Sequence, residues 1–114
     1  MHTPIERDPS GKNPHEPGAK LDAGKQRPWL MICGFARALD AVANVTTAGA
    51  KKYTPNGWRD VPNGEERYME AFARHQLALA RGEQIDTDTG CWHKAQMAWN
   101  LLASLELELQ KDLP

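Results

Sequence analysis

The stretch from Cys91 to Gln110 constrains this chain more than any other. It holds neither proline nor glycine and is rich in Ala, Leu, Gln and Glu, residues that lose little on entering a helix. At about 100° per residue its apolar side chains point almost all round, with Trp92, Trp99 and Ala103 on one side, Leu102 and Leu109 on another, and Leu101 and Leu105 on a third. Such a helix must be covered from several directions, so it belongs at the centre of a helical domain or in a subunit interface. One polar stripe interrupts it: His93, Gln96, Asn100 and Ser104. A buried polar group left unpaired costs about 1–3 kcal/mol, so a ligand, a metal or a neighbouring chain is expected to satisfy this stripe.

Two further helices are expected upstream. Phe35, Leu39, Val42 and Ala43 recur at three- and four-residue spacing, which predicts a helix from about Phe35 to Thr47 with Gly49 as its left-handed stop. A second helix is expected from Asn63 to about Arg81, ahead of Gly82, with Asn63 and Glu66 as a capping box. Thr87, Asp88 or Thr89 then caps the third helix. The fold class read from these elements is all-α, about three main helices in a domain spanning residues 19–114 and packing as an oligomer. Residues 1–18 carry Pro4, Pro9, Pro14 and Pro17 among polar neighbours and are expected to form a disordered or extended arm. Ala19 to Pro28 is expected to be an extended basic loop.

Composition excludes several classes. The chain has 114 residues and a formal net charge of −1, with no overall positive field to hold polymeric nucleic acid. The longest apolar run, around Trp29 to Phe35, falls far short of the roughly 20 residues that a membrane helix needs. A cytoplasmic setting follows as the expectation. Cys33 and Cys91 do not announce a zinc site or a disulfide framework and are read as reduced thiols.

The most chemical part of the sequence lies between and on the last two helices. Tyr68, Phe72, His75 and Leu79 share one helical face, so His75 sits within an apolar stripe, while Glu66 and Glu70 share another face with Ala73 and Leu77. The connection Gly82 to Gly90 concentrates Glu83, Asp86 and Asp88 just before His93. Structural roles compete for each of these: core histidines bonded to the acidic loop, Asp86 and Asp88 as turn or cap residues, Glu66 in its capping box, Glu70 paired with Arg74. Calcium of the EF-hand type is excluded, because Gly90 stands where a third ligand is required. Lys51 and Lys52 suit the end of the first helix for dipole reasons alone. Tyr53 and Trp58, in a turn-rich segment, must pack or bind something.

Four stretches in order resemble a known family: Gly18-Ala19-Lys20-Leu21-Asp22 with Gly24, Lys25 and Arg27; Gly49-Ala50-Lys51-Lys52-Tyr53 with Trp58; Arg67-Tyr68 with Arg74-His75; and Gly82-Glu83, Asp86, Gly90, His93 and Asn100. Together they resemble the phage-associated dATP/dGTP diphosphohydrolase family, in the part described as its N-terminal domain. The resemblance implies conversion of purine deoxynucleoside triphosphates to monophosphate and pyrophosphate, with Mg²⁺, in an infected cell. In that reading His75, Glu83, Asp86 and His93 are catalytic, and Glu66, Glu70, Glu83 and Asp86 hold the metal. Lys20, Lys25, Arg27 and Lys51 contact phosphate, Tyr53 or Trp58 stacks on the purine, and Asn100 joins the substrate site. The chain departs from related helical pyrophosphohydrolases, whose Glu-Glu-x-x-Glu helix is matched here only by Glu65-Glu66 and Glu70. Two alternatives stand beside hydrolysis: a nucleotide-sequestering protein, and a structural oligomer whose polar stripe fixes register.

Overall fold

A computed structural model describes residues 5–114, and every regular element among them is helical: α1 (Pro28–Gly34), α2 (Ala36–Lys52), a 3-10 turn (Gly57–Asp60), α3 (Gly64–Ala80) and α4 (His93–Gln110). The all-α expectation therefore holds. The chain divides into two compact units, Met1–Gly34 and Phe35–Pro114.

In the first unit the organiser is Asp8, a buried residue. Its Oδ1 accepts the Ser10 amide at 2.7 Å and the Ser10 hydroxyl at 2.6 Å, and its Oδ2 accepts the Lys20 amide at 3.0 Å. These bonds, that from the Ser10 hydroxyl first, hold the carboxyl below its ordinary value. The described part of the arm is thus a set of turns closed on one carboxylate, and the Ala19 amide binding the Glu16 carbonyl ties residues on both sides of Gly18 together. Residues 1–4 of the arm lie outside the described residues. The loop expected as far as Pro28 is succeeded at once by α1, which has too few turns to show a periodicity. Pro28 occupies its first position, where a missing N–H costs nothing.

The second unit is built on α3 and α4, which run antiparallel: Ser104 Oγ donates to the Glu65 carbonyl near one end and His75 meets His93 near the other. α2 packs on α4, and the 3-10 turn touches both α3 and α4. α2 runs past Thr47 and through Gly49 to Lys52, so Gly49 is not its stop. One glycine costs a helix only about 1 kcal/mol, and Thr46 and Thr47 return their hydroxyls to the Val42 and Ala43 carbonyls. The helix ends instead before Thr54-Pro55, where the residue preceding proline avoids helical angles.

The seam between α3 and α4 uses the polar stripe of the last helix and not its apolar sides. Its buried residues are small or polar (Ala95, Ala103, His93, Gln96, Asn100, Ser104), facing Gly64 and Ala78 of α3, while Leu101, Leu102, Leu105 and Leu109 are exposed. Small side chains permit close approach: a Cβ placed on Gly64 would stand 2.8 Å from Leu107 Cδ1. The polar stripe is satisfied within the chain. Gln96 donates to Asp86, Asn100 Nδ2 donates to the Gln96 carbonyl one turn back at 2.8 Å, and Ser104 takes the Glu65 carbonyl. Trp58, Tyr68 and Trp99 close the seam edge to face, with centroids 5.6–6.3 Å apart.

Candidate functional site

Local chain chemistry brings the site together. α3 is stopped just beyond Ala80 by Gly82, whose φ of 91° is open to glycine without penalty; its amide binds the Leu79 carbonyl and the Glu83 amide binds that of Ala78, the paired bonds of a Schellman stop. The chain then turns back through an isolated antiparallel bridge between Ile85 and Trp92. The Asp86 amide donates to the Cys91 carbonyl at 2.8 Å, the His93 amide to the Gln84 carbonyl at 2.9 Å, and the Gly90 amide to the Asp86 carbonyl at 2.7 Å. Asp86 is the hinge of this turn, and its Oδ1 also accepts the Asp88 amide at 3.0 Å.

The turn lays the Asp86 carboxylate against two imidazoles. His75, on α3, and His93, in the first turn of α4, bring their Nδ1 atoms to 2.9 Å, with ring planes inclined at 43°. One ligating atom from each of His75, Asp86 and His93 falls within 4.8 Å of the others. His93 is buried, whereas His75 and Asp86 are half-buried, so the cluster is open on one side. Gln96, one turn along α4 from His93, donates through Nε2 to Asp86 Oδ2 at 3.0 Å and fixes the carboxylate.

The electrostatics follow the geometry. Burial, reinforced by the neighbouring His93, lowers the pKa of His75 below 6.5 despite the opposing charge of Asp86, so the ring favours its neutral, proton-accepting form. For Asp86 burial works the other way, but the hydrogen bonds from Gln96 and the Asp88 amide, with the two histidines, outweigh it and keep the carboxyl below its ordinary range.

Other expected site residues lie elsewhere. Glu83 is exposed and pairs with Arg81 at 2.9 Å. Glu66 and Glu70 are exposed on α3, and neither joins the one cluster of three or more ligating side chains found among the described residues. The capping box expected of Glu66 is not formed, since Asn63 is left-handed at φ 54° and its side chain caps nothing. Thr87, Asp88 and Thr89 do not cap α4 either; its cap position is Trp92, held extended by the bridge. Trp58 is packed against Tyr68 and Trp99, and Asn100 is buried on its own helix. Lys51 and Tyr53 are exposed at the end of α2, Tyr53 beneath the Lys52 ammonium at 5.3 Å. Lys20, Lys25 and Arg27 belong to the first unit, where Lys25 Nζ stands 3.6 Å from Glu6. Sequence reasoning missed the role of Gln96. Its position three residues after His93 was the available signal, since that spacing puts both on the face that the acidic turn covers.

A curated relative from Salmonella phage PMBT28, named dATP/dGTP diphosphohydrolase, is 34% identical over 85 residues, which is 75% of this chain and 28% of the relative. The chain thus spans little more than a quarter of that protein's length. No solved structure matches. The family described as dATP/dGTP diphosphohydrolase, N-terminal, matches residues 15–113, a range that includes the helical pair, the acidic turn and both histidines, and the chain belongs to that family.

Proposed function

We propose that this chain handles purine deoxynucleoside triphosphates and acts as a pyrophosphohydrolase, converting dATP or dGTP to the monophosphate and pyrophosphate in the cytoplasm of an infected cell. The observation that supports it most is the meeting of His75, Asp86 and His93 at one partly open point, together with the activity for which the phage relative is named. In this reading a neutral imidazole of the pair takes the proton of a water that attacks the α-phosphorus. Asp86, held by Gln96, stabilises the imidazolium that forms, and the bond to the β-phosphate oxygen breaks to release pyrophosphate. Lys51 is the phosphate contact in the second unit, and the exposed Tyr53 offers a ring for the purine. Lys20, Lys25 and Arg27 enter the reading on their charge alone. The carboxylates Glu66, Glu70 and Glu83 do not gather with Asp86 into an oxygen cage, so no step is assigned to a resident Mg²⁺.

Incubation with dATP or dGTP and Mg²⁺, with products resolved by ion-exchange chromatography, tests this. His75→Gln is expected to reduce pyrophosphate formation by a factor of about 10²–10⁴, the usual contribution of a positioned base. Absence of product together with absence of any nucleotide-induced rise in melting temperature would overturn the reading. A second reading, binding without turnover, is favoured by the dispersal of Glu66, Glu70 and Glu83 away from Asp86, which leaves the described residues without a cluster of carboxylates. Stoichiometric recovery of intact nucleotide from a stable complex would select it.

A further inference from the structure

We propose that His75, His93 and Asp86 form a binding site for a divalent first-row transition metal, with both imidazoles ligating through Nδ1. Two ligands on one such ion, each about 2.0–2.1 Å from it, stand roughly 2.8–3.0 Å apart at octahedral angles and roughly 3.3–3.4 Å apart at tetrahedral ones. The two Nδ1 atoms already stand 2.9 Å apart, and one ring nitrogen of each histidine lies with a carboxylate oxygen of Asp86 inside a 4.8 Å cluster. In the metal-free protein that contact requires a hydrogen between the rings, one nitrogen donating and the other accepting; the ion takes the place of this hydrogen, which moves to the far nitrogen of its ring or to solvent.

The donor set selects the class of ion. Two of its three donors are imidazole nitrogens, which suit zinc, cobalt, nickel or iron, whereas Mg²⁺ and Ca²⁺ demand oxygen. Three protein ligands on a side open to water leave at least one position for a water molecule or a substrate oxygen, the arrangement of catalytic rather than structural sites. The supporting shell is also present. Gln96 Nε2 and the Asp88 amide each hold one oxygen of Asp86, leaving a lone pair on each, and the His93 amide is fixed to the Gln84 carbonyl. A site of this kind draws on α3, α4 and the turn that joins them, so its geometry is preset by the fold.

The same three side chains serve the nucleotide reading, in which an imidazole acts as a base only where no ion is bound; because metal binding is measured without nucleotide, either can fail alone. The test uses the full chain in a Cys33→Ser background, which removes the exposed thiol as a competing ligand. Calorimetric titration with Zn²⁺ and the visible spectrum with Co²⁺ are expected to show one equivalent bound, with a rise in melting temperature for both ions and none for Mg²⁺. Gln96→Ala, which leaves every ligand in place, is expected to weaken Zn²⁺ binding by about 10–100-fold, and His75→Gln to abolish the stoichiometric step. Circular dichroism establishes that each variant is folded. A protein that binds neither ion, one that binds Mg²⁺ as well as Zn²⁺, or Zn²⁺ binding unchanged in folded His75→Gln would overturn the proposal, and the imidazole contact would stand as a hydrogen bond alone.

Discussion

Tyr68 carries its phenol where the proton is needed: the hydroxyl donates to the Trp58 carbonyl at 2.8 Å, and burial raises its pKa above 10.0. The folded state therefore holds this proton more tightly than the unfolded one. The associated stability is complete below pH 10 and is lost as pH climbs from there through the folded value. Urea denaturation just above pH 10 is expected to show a lower midpoint than at neutral pH, and Tyr68→Phe to remove this alkaline loss. The same substitution is expected to cost about 1 kcal/mol at neutral pH, the usual worth of one hydrogen bond. An unchanged neutral midpoint would show the bond to be idle. At this scale the sequence was informative about His75, Asp86 and His93, because a histidine in an apolar stripe and a second at the start of the next helix flank an acidic turn. It was less informative about Gln96 and Asn100, whose roles depend on what the turn and the opposite helix present to them.

Among the elements, α3 shows how far local chemistry carries. Its span and its glycine stop are both readable, since only a residue without a Cβ adopts φ 91° at Gly82 freely. Gly82→Ala is expected to destabilise the protein by about 1–2 kcal/mol through the left-handed backbone it would force on alanine, read as a drop in the midpoint of thermal unfolding; an equal or higher midpoint would refute this account of the stop. Helix starts were less legible. The Ile85–Trp92 bridge decides where α4 begins, and Asp86 and Thr89 brace the turn before it, accepting the Asp88 and Cys91 amides, without capping the helix. Caps depend on closures that a linear pattern does not contain. The short α1 was hidden for another reason, as a contiguous apolar run has no period to read.

For the molecule as a whole, the distribution of leucine is the informative property. The α3–α4 seam takes small and polar residues, and Leu77, Leu101, Leu102, Leu105 and Leu109 are left exposed. Contiguous apolar surface on a folded protein commonly marks an interaction face. Self-association is the expected outcome, with light scattering giving a mass above the 12.7 kDa of one chain. Leu101→Lys combined with Leu105→Lys is expected to return the single-chain mass without loss of helical circular dichroism. A wild-type protein that stays at the single-chain mass across concentrations would refute it. The all-round apolar pattern of α4 predicted coverage of that helix, but not that the intramolecular seam would use its polar stripe. The reason is steric: the antiparallel partner approaches most closely along the line of Ala, Ser and Gly. The compact turn after α3 has a kinetic consequence as well. His75 and His93 are 18 residues apart, and Asp86 and Gln96 only 10, so the cluster is made by short loop closures with a small entropic cost. Its contacts belong among those a nascent chain can form early, ahead of the longer-range docking of α2 on α4.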